Sequence, residues 1–390
     1  MRTMTIALLL GIALPDAAQE RPLPFTSGWD LQGDRTAVVK DAGREVLQVE
    51  TGFGHRRDVR IQDGTIDFDV QVTRRRSFVY VYFRVVADGE REEFYLRPHK
   101  SGLPDAVQYA PVWQNKSAWQ LHHGPGGTAA IAFDPGAWTH VRVVMQGRRA
   151  AIFVKDMTTP ALTVPRLARE PQAGHIAIGG FLPADVPGEG AIARFSNVVV
   201  RSEVSFDFAA APAQKGSDAR PAAASTPAAS EPAETIVTTW SVSRSFVPKD
   251  ESVPTLPGRD ITGEFMKLDT EADGLLQLHR HITVPQGSRV AAAVARVNVR
   301  AARAGTYAFD VGFSDIATVF VNGKPVFRGE ASYSFDQPRR EGLIGYDQAR
   351  IYLALPAGDT DLAIVVSDTF GGWGIMARFV NAFGVTAGAR

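Results

Sequence analysis

The chain contains no cysteine. That removes disulfides, thiolate nucleophiles, iron–sulfur clusters and cysteine-based zinc sites, and with them the cysteine on which a bacterial lipid anchor depends. It also lacks net charge. Lys+Arg and Asp+Glu each number 42 in 390 residues, so no overall field draws nucleic acid or an anionic membrane surface. No internal segment approaches the length of a membrane span. There is no G-x-S-x-G elbow, no phosphate-cradling P-loop and no H-E-x-x-H pair. Helical periodicity never persists beyond a turn or two.

What is present begins with an apolar stretch from Ile6 to Leu14 behind Arg2, followed by the small residues Ala17 and Ala18. This pattern reads as a signal peptide over 1–18, and the protein is expected to be secreted or periplasmic. A second feature is the run from Ala209 to Glu234, which is Ala, Pro and Ser with scattered charge. Such a run cannot bury enough apolar surface to offset its ordering entropy. It is expected to act as a flexible linker over 207–234, dividing a β-sandwich over 19–206 from a jelly roll over 235–390.

Both flanking segments read as strands. Thr65–Thr73, Phe78–Val86 and Glu93–Arg97 alternate apolar and polar residues, and Asp63-Gly64, Asp88-Gly89 and Gln146-Gly147 supply turns between strands. Short alternating runs with frequent turn signals predict an all-β protein of antiparallel sandwiches. In the second half, Thr318–Phe327 centres on Asn322-Gly323. That dipeptide tolerates the two positive φ values of a type I′ hairpin turn.

Several motifs carry resemblances. The opening Phe25-x-x-x-Trp29, the Asp67–Val72 strand, the Tyr82-Phe83-Arg84 strand end, the Phe94–Tyr109 segment and the Ala137–Val143 strand are similar to the concanavalin A-like (laminin G-like) superfamily. More loosely, they resemble bacterial keto-disaccharide hydrolase-like domains. The Phe309–Phe327 segment, the later Gly358–Val366 and the Gly371–Gly374 ending resemble galactose-binding-domain-like jelly rolls. These resemblances imply sandwich folds and a carbohydrate partner. They are compatible with a structural calcium ion, for which no ligands are assigned. Otherwise neither a cofactor nor a metal site is expected.

Period-two alternation locates a candidate site. On Phe78–Val86 the face opposite Val79, Val81, Phe83 and Val85 carries Tyr80, Tyr82 and Arg84. On the next strand the corresponding face carries Glu93, Tyr95 and Arg97. Asp67, Asp69 and Gln71 oppose the apolar residues of Thr65–Thr73 and join this face if the strands share one sheet. His99, Asp105, Gln108, Tyr109 and Trp113 follow and are expected to rim it, with Trp119 beyond. Aromatic rings stack on the C–H faces of sugars, while carboxylates, amides and guanidinium groups match their hydroxyls. The competing reading is a solvated outer face laced with weak cross-strand pairs. His279 and His281 are expected to share one strand face, without a third ligand nearby.

The expected function is therefore an exported carbohydrate-binding protein with an accessory C-terminal jelly roll. An alternative is a glycoside-cleaving enzyme on the same face, with Arg84, Glu93 and Asp105 as candidate catalytic groups. Glycosidases need two suitably spaced carboxylates, and no spacing singles out such a pair. A further alternative is a structural or adhesion protein whose sandwiches contact other proteins.

Overall fold

A computed structural model describes residues 21–188, 190–209, 234–248, 255–334 and 341–389. The expected signal peptide lies outside the described residues, as does nearly all of the expected linker. Among the described residues strands account for 54% and helices for 3%, so the layers are sheets. No helix among the described residues is long and apolar enough to cross a membrane.

The N-terminal half contains β1 (Asp30–Asp41), β2 (Arg44–Ile61), β3 (Gly64–Val72), β4 (Phe78–Ala87), β5 (Glu90–Leu96), β6 (Val107–Trp113), β7 (Lys116–Ser117) and β8 (Thr128–Ala129). It continues with β9 (Trp138–Gln146), β10 (Arg149–Val154), β11 (Leu162–Val164), β12 (Gly174–Phe181) and β13 (Ala193–Arg201). The hydrogen-bonded path runs β11-β10-β9-β3-β13-β2-β12-β4-β5-β6-β7. Strand β2 is the hinge of this path. Its Leu47–Val49 stretch pairs with β13, and its Gly52–Ile61 stretch pairs with β12. The sheet thereby folds over itself into two layers. Ile66, Phe68, Val70, Val141 and Val143 on one layer meet Val79, Val81, Phe83, Phe94, Leu96 and Ile178 on the other in a single core.

This folding separates acids that the sequence pattern left together. β3 lies in the layer away from β4 and β5. Asp67 pairs with Arg142 at 2.7 Å and with Arg201, and Asp69 meets His140 at 2.8 Å and Arg44 at 3.2 Å. Neither carboxylate joins the tyrosine face.

The C-terminal half contains β14 (Thr235–Ile236), β15 (Thr239–Ser243), β16 (Phe265–Asp269), β17 (Leu276–Gln277), β18 (Ala291–Ala301) and β19 (Gly305–Ser314). After these come β20 (Ile316–Val321), β21 (Lys324–Glu330), β22 (Ala349–Leu355), β23 (Gly358–Asp368), β24 (Gly374–Val380) and β25 (Val385–Gly388). One sheet is ordered β14-β24-β19-β22 and the other β16-β15-β18-β23-β20-β21. Both are antiparallel, and they enclose a core containing Trp240, Phe309, Phe313, Val366, Trp373 and Phe379. Asn322 and Gly323 have φ values of 48° and 76°, and Val321 pairs with Lys324. The type I′ hairpin predicted from sequence is present.

The two halves pack against each other through the segment 114–123, which leaves the end of β6. Gln114 Nε2 donates to the carbonyls of His279 and Ile282, each at 3.0 Å. Lys116 Nζ lies 3.4 Å from the fully buried carboxylate of Asp368. Ala118 and Leu121 enter an apolar cluster with Leu275, Ile344, Tyr346 and Met376. His123 Nε2 is 2.6 Å from the Ile344 carbonyl oxygen. The histidines expected on one strand face are separated instead. Leu278–Arg280 forms a single 3-10 turn that buries His279 beside Asp368, at 3.3 Å, and against the Trp373 ring.

Candidate functional site

The site is built on five adjacent strands in the order β2, β12, β4, β5 and β6. Alternation aligns side chains in rows across them. One row reads Phe53, Gly179, Tyr80, Tyr95 and Gln108; the next reads His55, Ala177, Tyr82, Glu93 and Ala110. β12 contributes only small side chains to these rows. Phe53 therefore crosses over β12 and stacks on Tyr82, with centroids 4.7 Å apart and planes at 21°. A Cβ built on Gly179 would lie 2.5 Å from Phe53 Cδ1, so the absence of a side chain there is what admits the ring.

The aromatic surface continues along the strands. Tyr80 contacts Tyr95 at 5.1 Å and Phe78 at 6.4 Å, and Phe78 contacts Phe181 at 6.4 Å. Tyr82 and Tyr95 form the floor. Phe53, Phe78 and Tyr80 are half-buried, and Phe181 is 46% exposed.

Charged groups bound the rings and are paired with one another. The Arg91 guanidinium sits 3.9 Å above the Tyr82 ring and donates to Glu93 Oε2 at 3.0 Å. Ser117 Oγ donates to the other Glu93 oxygen at 2.7 Å. Burial pushes the Glu93 carboxyl above its usual range, against the pull of Arg91 and Ser117. Arg97 donates to Asp105 Oδ2 at 2.6 Å, to the Tyr95 hydroxyl at 2.8 Å and to Gln108 Oε1. Tyr95 also donates to Gln108 Oε1 at 2.7 Å, and Gln108 Nε2 donates to the carbonyls of Trp119 and His122. Lys100 Nζ bridges Asp105 to Glu341 of the C-terminal half, the latter at 2.8 Å. His99 Nδ1 accepts from the Ser77 N–H at 3.3 Å, and its ring meets Phe78 edge-on at 5.5 Å. Burial, then Arg97 and Lys100, lower its pKa to about 4.

The structure thus gathers Tyr80, Tyr82, Glu93, Tyr95, Arg97 and Gln108 on one face, with Asp105 and His99 at its edge. Three expected members are elsewhere. Arg84 takes φ +51°, and the β4–β5 register shifts between Phe83 and Ala87. This bulge turns Arg84 away, to the Gln62 and Gly147 carbonyls at 2.7 Å and Asp63 at 3.0 Å, where it is 2% exposed. Val85 packs beside Tyr82 in its place. Tyr109 faces the core, donating to Glu92 Oε2 and accepting from the Ala168 N–H, both at 2.7 Å. Trp113 has the parity of Tyr109 on β6 and lies under the Arg169 guanidinium at 5.1 Å. The candidate catalytic trio is therefore not a trio: Arg84 is remote from the face that holds Glu93.

Phe53, Phe78, Phe181 and Arg91 were not singled out from sequence. Phe78 and Phe181 follow the parity of Tyr80 and Gly179 across paired strands, a signal that requires the β4–β12 register. Among the described residues, no group of three or more His, Asp or Glu side chains is placed to hold a metal ion.

No protein-family model matches this chain, and no curated protein sequence does. Solved structures similar to it include carbohydrate-binding module 66 from Bacillus subtilis, at 13% identity and TM-score 0.33, covering 45% of this chain and 96% of that one. Another is the Bacillus licheniformis β-glucanase, at 12% identity and TM-score 0.35, covering 46% and 95%. A family 35 carbohydrate-binding module from an environmental isolate aligns over 25% of this chain and 72% of its own, at 22% identity and TM-score 0.18. Likenesses this distant do not decide what this chain binds.

Proposed function

We propose that this is an exported carbohydrate-binding protein whose site is the aromatic face of β2, β4, β5 and β12. The observation that carries the reading is the unbroken contact of Phe53, Tyr82, Tyr80, Phe78 and Phe181, an apolar band open on one side. Flat rings in this arrangement suit the C–H faces of sugars. Beside them Arg91 and Asp105 keep part of their polar surface open at the edge for hydroxyl groups, each held in place by a buried partner, Glu93 and Arg97.

The state of the acids favours binding over cleavage. A glycosidase positions one carboxyl group as acid and a second as base or nucleophile across the bond. Here Glu93 is held by Arg91 and Ser117, and Asp105 by Arg97 and Lys100, so each is committed to the scaffold. Affinity electrophoresis through gels containing neutral polysaccharides tests the reading. Retardation by at least one polysaccharide, without release of shorter products, is expected. Protein capture on this face with no sugar dependence would support the adhesion reading in its place.

A further inference from the structure

We infer that the sugar-binding surface does not end at the N-terminal half but continues across the seam onto Trp119, Tyr333 and Phe370, so that the ligand is a chain of several sugars touching both halves. This inference rests on the reading of the aromatic face as a carbohydrate site and extends it.

The contacts are continuous, with Tyr95 and Arg97, 3% and 5% exposed, forming a buried floor between two groups of more exposed rings. From Tyr95 the Arg97 guanidinium lies 5.0 Å over the ring on one side and 5.9 Å from the Trp119 ring on the other. Trp119 meets Tyr333 edge-on at 5.7 Å, and Tyr333 meets Phe370 at 5.6 Å. Trp119 and Tyr333 are half-buried, and Phe370 is 48% exposed. Where the path crosses the seam, the Lys100–Glu341 pair lies close by, with side chains 25% and 33% exposed. This pair offers polar partners for hydroxyls where the two groups of rings meet.

The rings on either side of the seam are also held in fixed relation. Gln108 anchors the Trp119 carbonyl to the tyrosine face at 2.7 Å. The adjacent Gln120 accepts from the Gly372 N–H at 2.7 Å, two residues from Phe370. Asp315 accepts from the Phe370 N–H itself at 2.8 Å. A surface prepared in this way binds without first ordering its own parts, which favours affinity. A single sugar covers one ring. Only an oligomer uses a file of rings with ion pairs at its margin.

The test is calorimetric titration of the full chain with an oligosaccharide ladder cut from a polysaccharide that retards it. Wild type is expected to bind longer members more tightly. Phe370→Ala is expected to match wild type on the shortest binding member and to lose roughly tenfold at most on the longest, the scale of one aromatic contact. Phe78→Ala should weaken all lengths. Phe370 is exposed in a loop, so its removal leaves both cores intact; Trp119→Ala, checked by its melting curve, gives a second reading at the seam. Length dependence unchanged in both variants, with Phe78→Ala still weakened, would overturn the shared surface and leave the face itself standing. Failure of wild type to bind any saccharide, or binding of a proline-rich peptide through the same rings, would overturn both.

Discussion

The side-chain oxygen of Gln120 accepts a hydrogen bond from the backbone N–H of Gly372 at 2.7 Å, across 252 positions of sequence. Gly342 and Gly371 wall the slot that receives this side chain. A Cβ on either would lie about 2 Å from Gln120, at 2.1 Å and 2.0 Å, and both residues take positive φ. The glutamine and its slot are thus shaped for each other, and they fix the two halves in one arrangement.

Gly371→Ala should open this seam. Its φ of +95° is unfavourable for a side chain, and the new methyl group displaces Gln120. Gln120→Ala leaves the Gly372 N–H without its partner, while Ser314 Oγ keeps Asp315 Oδ1 at 3.2 Å. A buried polar group left unpaired costs about 1–3 kcal/mol. Hydrogen exchange should show faster opening of residues 114–123 and 341–346 in either variant, with the cores of both sandwiches still protected.

Gly179→Ala should disturb the aromatic face and the β2–β12 pairing beneath it. The added methyl group occupies the space of the Phe53 ring and forces it off Tyr82. The methyl group also lies 2.3 Å from the Gly52 carbonyl oxygen and 2.8 Å from Phe53 Cα on the paired strand, so a lowered melting temperature is expected together with a several-fold fall in polysaccharide affinity, read by affinity electrophoresis well below that temperature.

Arg84→Ala tests the correction to the site. Its guanidinium joins β4 to the Gln62 and Gly147 carbonyls and to Asp63, all away from the tyrosines. Truncation removes these bonds and empties the space of a buried side chain, while water can reach the freed acceptors on exposed and half-exposed residues, and a loss of about 1–3 kcal/mol in denaturant unfolding is expected. Affinity measured well below the melting temperature should stay close to wild type.

Stability should carry a distinct pH signature. Burial raises the Glu92 carboxyl from 4.5 to about 7 in the folded state. The folded protein therefore holds this proton more tightly than the unfolded chain, and stability from this group falls as pH rises from about 4.5 to about 7. A displacement of this size corresponds to about 3 kcal/mol. The wild-type minus Glu92→Gln difference in unfolding free energy should decline by that order across the window. His55 and His99 act oppositely. Burial holds both near 4, below the ordinary 6.5, so their contribution is full above pH 6.5 and is lost as pH falls toward 4. Urea midpoints between pH 4 and pH 8 measure both effects.

The parts of this account that were legible in the sequence are local. The Asn322-Gly323 turn needs only two residues, and the shared face of Tyr80, Tyr82, Glu93 and Tyr95 needs only the period of a strand. Arg84 was misplaced because Val85 is apolar and fits the pattern with or without the bulge. Tyr109 and Trp113 were legible in principle: if Gln108 faces outward on β6, its odd-numbered neighbours face inward. Phe53 reaches Tyr82 only because β12 is bare between them, and that depends on a pairing between strands far apart in sequence. The Gln120 slot is longer-range still, and nothing near residue 120 announces it.

The most direct test is isothermal titration of a retarding polysaccharide against wild type and the Phe78→Ala/Tyr80→Ala double variant, with both melting curves recorded. A carbohydrate-binding aromatic face predicts measurable wild-type affinity that the double variant loses while remaining folded. Unchanged affinity in a folded double variant would contradict it.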